Sequence, residues 1–181
     1  MTILSLDPSS TRTGYAIHGW DATTAGETLV EAGYLKPRAA DSPLKRIRAM
    51  AADFRDMLAE VNPEVVVIEW TSGKVNRRRH KGGGAGLSIY GGAAGYMISE
   101  ADRAMPAEAV FTPLENDWTN GVEKLTRQDF IAALYPAYAA HMAKDDGGDV
   151  ADAIGLGRWW IATEGRVWAN TSEFRGQGVQ R

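Results

Sequence analysis

The chain has 181 residues, 44% of them hydrophobic and none of them cysteine, with a formal net charge of −3. That length supports one domain with a real core, and the lack of cysteine excludes disulfides and thiolate metal sites while suiting a reducing cytoplasm. The net charge argues against an unselective nucleic-acid binder, although charge is spread unevenly along the chain.

Residues 3–6, ILSL, read as a strand and not as the apolar core of a signal peptide, which would need a basic start and a longer run. No apolar run approaches the ~20 residues of a membrane span. Strand character resumes over 14–17 and again over 28–35, with turns at Pro8, Ser9 and Ser10 and over 19–26. Three antiparallel strands are the simplest reading. Ser42 stands as an N-cap with Pro43 at the first helical position. Leu44, Ile47, Met50, Ala51, Phe54, Met57, Leu58 and Val61 follow at helical spacing until Asn62-Pro63. Val65-Val66-Val67-Ile68 is apolar without alternation, the pattern of a strand covered on both faces, and Glu69 ends it. Residues 70–86 form a basic, Gly-rich loop. Residues 87–103 read as a helix whose Gly91, Gly92, Ala93, Ala94 and Gly95 permit close packing on another helix.

A short strand over 109–112, a loop over 113–121, a helix over 125–135 stopped by Pro136, and a final helix over 149–162 complete the pattern. The order β-β-β-α-β-α-β-α-α describes an α/β layered domain: a mixed five-stranded sheet with helices on both faces. The domain spans 1–164, and a C-terminal tail over 165–181 adds few apolar residues beyond Val167, Trp168 and Phe174. There is no internal repeat.

Four acidic residues stand in telling places. Asp7 ends the first strand and Glu69 the buried fourth. Asp149 and Asp152 open the last helix at i, i+3, on one face. If strands one and four are neighbours, all four gather at one end of the sheet. Crowded carboxylates raise one another's pKa values, and divalent cations relieve that repulsion. Hard ions such as Mg²⁺ prefer oxygen, and a chain with three histidines and no cysteine offers few other ligands. Paired ions ~3.5–4 Å apart clamp the attacking and leaving oxygens of a phosphodiester displacement. Singly, each residue has an ordinary reading: Asp149 and Asp152 as acids suiting a helix dipole, Asp7 as a turn former. Glu69, after four apolar residues, is the hardest to read so.

Lys74, Arg77, Arg78, Arg79 and Lys81 place five cations in eight residues, with His80 among them and no acid. A solvated loop is one reading. Their position directly after Glu69 gives the other, contact with the phosphates of a polyanion approaching the carboxylates. Lys45, Arg46, Arg48 and Arg55 on the first helix read as a solvated face or as a track for a duplex. Trp70 either stacks on an exposed base or closes the core beside the strand end. Trp118 stands open between core and ligand contact, and Trp159 and Trp160 read as core or interface.

ILSLDPSSTRTGYAI, residues 3–17, resembles the first motif of RuvC-type Holliday-junction resolvases of the RNase H-like superfamily: a strand ending in Asp, a turn, and Thr-Gly opening the second strand. VVVIEW resembles the second motif and LSIYGGAAGYMI the small-residue helix. WTNGVEKLTRQDFI resembles the segment carrying a basic residue, the place of Lys124, and DVADAIGLG the last motif. The matches run in family order over residues 3–160, in the flavour of phage or prophage members.

The resemblance implies an RNase H-like fold and a metal-dependent, structure-specific endodeoxyribonuclease. Asp7, Glu69, Asp149 and Asp152 would be ligands for two Mg²⁺ ions per site, with Mn²⁺ able to substitute. Lys124 would lie near the scissile phosphate and stabilise developing charge. The carboxylates would hold ions and not act as general bases, and hydrolysis would leave a 5′-phosphate. It further implies a homodimer that cuts opposing strands of a four-way junction, and possession of no membrane segment, in the cytoplasm of a bacterium or of a phage's host. The helix around 87–97 would lie at or near the dimer contact. Two departures from the family stand out: Ser9 where Gly is usual, and a loop after Glu69 more basic and Gly-rich than expected. Three other readings share parts of the pattern. One is an RNA-processing nuclease of the same fold. Another is an actin-like nucleotide binder, which would need two lobes and a second Asp-x-Gly motif. The third is a non-catalytic binder of branched DNA, which the four filled acidic positions disfavour.

Overall fold

The structure, a computed structural model, describes residues 1–39, 41–70, 83–142 and 148–165. The expected loop cations Lys74, Arg77, Arg78, Arg79 and Lys81, and the tail beyond Gly165, lie outside the described residues. Strands β1 (Thr2–Asp7), β2 (Thr13–Asp21), β3 (Gly26–Leu35), β4 (Val65–Ile68) and β5 (Val110–Phe111) form a five-stranded sheet in the order β3-β2-β1-β4-β5. The pairs β1–β2 and β2–β3 are antiparallel, and β1–β4 and β4–β5 are parallel. The β2–β3 hairpin is longer than the sequence suggests, because β2 continues to Asp21. Its turn is tied by the Asp21 carboxylate, which accepts hydrogen bonds from the Thr23 amide and from the hydroxyls of Thr23 and Thr24.

The unalternating apolar run of β4 is buried on both sides, and its residues divide between two layers. Val66 and Ile68 join Leu4, Leu6, Ile47, Met50, Phe54 and Leu58 under helices α1 (Pro43–Val61) and α2 (Gly83–Ala104). The small-residue face of α2 packs here, through the fully buried Ala93, Ala94, Met97 and Ala101. Val65 and Val67 turn the other way, onto Trp118, Leu156 and Trp160. Helix α6 (Asp149–Trp160) covers that second face, across β1 and β2. Burying each large apolar side chain of these layers contributes roughly 1.5–3 kcal/mol.

Four local expectations change. Ser42 holds the N-cap position of α1, but its side chain makes no capping hydrogen bond; an Asp41–Lys45 ion pair spans this end instead. The 113–121 loop contains a short helix, α3 (Glu115–Thr119), too brief to show a period in sequence. Helix α4 (Lys124–Leu134) does end before Pro136, yet Pro136 opens a further helix, α5 (Pro136–Met142). Proline breaks a helix interior but suits a first turn, where its missing N–H has no partner to lose. Finally, α6 passes into one wide turn over Ile161–Gly165. No described helix is long and apolar enough to cross a membrane.

Candidate active site

The parallel register Leu6↔Ile68 aligns the carboxyl ends of β1 and β4. The Glu69 amide donates to the Leu6 carbonyl at 3.0 Å, so Asp7 and Glu69 leave the sheet side by side. Asp7 also pairs with Gly14 across β2, and the first turn of α6 rests on Gly14. A third approach comes from α4. Gly148, at φ 70°, precedes α6, and a β-carbon there would lie 1.7 Å from Gln128 Nε2 and 2.7 Å from Lys124 Cε. Glycine at that point therefore lets Lys124 reach the start of α6. Asp7, Glu69, Asp149, Asp152 and Lys124, distant in sequence, thus meet at one end of the sheet.

Three of the carboxylates are buried and the charges of the site are uneven. Asp7, Glu69 and Asp152 are 7%, 8% and 3% exposed. Burial, reinforced by Glu69, Asp152 and Asp149, pushes the Asp7 carboxyl well above its ordinary range against the pull of Lys124. Burial likewise raises Glu69 to about 7, with Asp152 and Glu115 adding to the rise while hydrogen bonds from Trp118 and Tyr90 oppose it. Lys124 Nζ lies 2.8 Å from Asp152 Oδ2 and 3.8 Å from Asp149 Oδ1. Although burial opposes its charge, Asp152, Asp7 and Asp149 hold its pKa above the usual value.

Three supporting residues, Tyr90, Arg127 and Arg12, are not singled out from sequence, and Trp118 is left open there. Glu69 is gripped from both sides: Tyr90 Oη donates to Oε1 at 3.1 Å and Trp118 Nε1 to Oε2 at 2.8 Å. Arg127 makes a two-pronged contact with Asp152, Nε to Oδ1 at 3.1 Å and Nη2 to Oδ2 at 3.2 Å, and lies 5.0 Å over the Trp118 ring. Arg12 Nε donates to Asp149 Oδ2 at 2.7 Å. The signal for Arg127 was its place three residues after Lys124, on the same face of α4. Trp118 resolves as a buried residue that also serves the site. Trp160 is fully buried, edge-on to Phe111 with centroids 5.2 Å apart, and Trp159 packs partly beside it. Trp70 is half-buried, its amide bonded to the Pro113 carbonyl at 2.8 Å. On α1, Arg48 and Arg55 are exposed, whereas Arg46 is tied to the carbonyls of Ser10 and Asp41 at 3.1 and 2.9 Å.

Among the described residues, no three acidic or histidine side chains close into a ready metal cage. Lys124, Arg127 and Arg12 hold Asp149 and Asp152 instead. The donor set nevertheless fits a hard divalent cation. It consists of carboxylate oxygens, two of the four carry raised pKa values, and among the described residues no hydrogen bond satisfies the side chain of Asp7.

No protein-family model matches the chain, and no curated protein sequence does. Solved structures do. Thermus thermophilus RuvC in complex with a Holliday junction substrate has a TM-score of 0.64 at 15% identity, over 91% of this chain and 97% of that one. The fowlpox virus resolvase with its substrate Holliday junction DNA gives 0.58 at 19%, over 90% and 98%. The yeast mitochondrial Holliday junction resolvase Ydc2 gives 0.59 at 11%, over 92% and 80%. The chain shares their RNase H-like fold.

Proposed function

We propose that the chain is a metal-dependent endonuclease that hydrolyses phosphodiester bonds in branched DNA, four-way junctions foremost. The observation that carries this reading is the meeting of Asp7, Glu69, Asp149 and Asp152 with Lys124 at one edge of the sheet. Solved proteins of the same fold bind Holliday junctions. The four carboxylates would hold two Mg²⁺ ions, for which Mn²⁺ would substitute. Such ions, when bound, activate water and stabilise the leaving oxygen.

The chain's own residues perform the rest. Tyr90 and Trp118 fix the rotamer of Glu69 through one oxygen each. Arg127 orients Asp152, and a carboxylate oxygen that accepts one hydrogen bond keeps a second lone pair for a cation. Lys124 transfers its ammonium from Asp152 to the phosphoryl oxygens as charge develops there. The cations at 74–81 would hold neighbouring phosphates, and Trp70 would stack on a base exposed at the branch.

A homodimer with two such sites would cut opposing strands, joined near the outer side of α2. There a β-carbon built on Gly91 or Gly95 meets nothing within 4 Å, and Tyr96 is exposed. The deciding experiment incubates the protein with a mobile four-way junction, Mg²⁺ or Mn²⁺, and strand-specific end labels, beside a linear duplex and an RNA hairpin. Paired nicks across the branch support the proposal. Equal cutting of linear DNA, or cutting confined to RNA, overturns it.

A further inference from the structure

A cleft of about 430 Å³ opens beside Asp149. Its walls carry Ser9, Thr11, Arg12, Lys36 and Arg46 together with Asp149. Three cations against one carboxylate leave the cleft positive. Two of the cations are fixed in place. Arg12 is held by Asp149 and lies 5.0 Å over the Tyr34 ring. Arg46 is held by backbone carbonyls between the β1–β2 turn and the start of α1. Lys36, just past the end of β3, is exposed and makes no ion pair among the described residues. Ser9 and Thr11 add hydroxyls 3.2 Å apart at the rim.

Cations and hydroxyls without an aromatic wall suit a phosphate and not a base. Asp149 forms part of both the carboxylate cluster and this cleft, so a strand lying over the cluster would pass the cleft next. Building on the nuclease reading above, we infer that the cleft is a backbone subsite. It grips one phosphate of the cleaved DNA strand adjacent to the scissile one, with Lys36 as its exposed cation and Arg12 and Arg46 as its floor. Arg12 then has two tasks, neutralising Asp149 and turning the strand towards the carboxylates.

The test uses the full chain in EDTA, where binding is read without cutting. Junctions carry a single neutral methylphosphonate at each phosphate flanking the cleavage position, and wild type is compared with Lys36→Gln. Wild type should lose about tenfold in affinity at one flanking linkage. Lys36→Gln should lose affinity on the unmodified junction and about one unit of salt slope, and should lose less than wild type does at that linkage, where only Arg12 and Arg46 remain to feel the charge. Thermal melting of both proteins checks the fold. Lys36→Gln with wild-type affinity and slope, or losses that multiply at every linkage, overturns the subsite while leaving a wild type that binds and cuts junctions as a nuclease. A wild type that binds no DNA overturns both.

Discussion

A β-carbon on Gly14 would lie 2.1 Å from the Asp149 carbonyl oxygen, closer than any packed atom tolerates. The second strand and the last helix are thus in backbone contact at the point where Asp7, paired with Gly14, meets the two helix carboxylates. Replacing Gly14 with alanine must lift the start of α6. Overpacking of this kind costs about 2–3 kcal/mol, and a shift near 1 Å at a catalytic group lowers turnover about a hundredfold. Gly19→Ala, on the same strand, would meet only ordinary contacts at 3.7 Å and beyond. Urea unfolding and junction cleavage should therefore separate the two variants, with Gly19→Ala close to wild type in both. Equal behaviour would mean that α6 does not need this contact.

Charge removal at the centre should divide binding from chemistry. Asp7→Asn keeps the size of the side chain and removes a buried negative charge, so junction binding in EDTA should persist while cleavage disappears. Lys124→Ala should lower the cleavage rate about 10²–10³-fold, the usual loss for one donor to developing charge, with affinity changed far less. Gel-shift titration and single-turnover cleavage measure the two. Robust cutting by Asp7→Asn, or cutting by wild type in EDTA, contradicts the role assigned to the carboxylates.

Much of this site was legible because its signals are local. A run such as Val65–Ile68 without alternation announces a strand covered twice, so the acid that ends it is conspicuous. Asp149 and Asp152 announce themselves by helical spacing. What holds these residues was not legible, because it arises from long-range approach. Trp118 reaches Glu69 from a five-residue helix with no period, across 49 positions of sequence. Arg12 reaches Asp149 across 137. Pro136 marks the end of α4 correctly, but composition alone does not tell that the same residue begins another helix.

The buried carboxyls make the metal-free protein sensitive to pH. The Glu69 pKa is about 7 in the folded chain against an ordinary 4.5, and Asp7 shifts in the same direction. The folded state then binds protons that the unfolded state releases, so stability falls as pH rises. The Glu69 contribution is fully present below about 4.5, declines through the interval up to 7, and levels off above it. Denaturation in EDTA should show a lower midpoint at pH 8 than at pH 5, and Glu69→Gln should reduce the difference. Added Mn²⁺ should raise the midpoint at pH 8 more than at pH 5, because protons and cations compete for the same oxygens. A midpoint that rises between pH 5 and 8 in EDTA would refute this account.

Arg127 offers the sharpest separation between structure and metal binding. It holds both oxygens of Asp152, whose side chain is 4% exposed, and its own is 13% exposed. Removing one partner of a buried pair costs about 3 kcal/mol, because the other charge stays behind. Lys124 also contacts Asp152 and recovers part of that loss. Arg127→Met should accordingly unfold at lower urea in EDTA. Yet the same change removes a positive charge that competes with a divalent cation for Asp152, so Mn²⁺ affinity measured by calorimetry should rise. A purely structural arginine would lower stability and weaken metal binding together. Opposite signs in the two measurements distinguish a residue that orients Asp152 while its charge opposes the cation from one that merely props up α4.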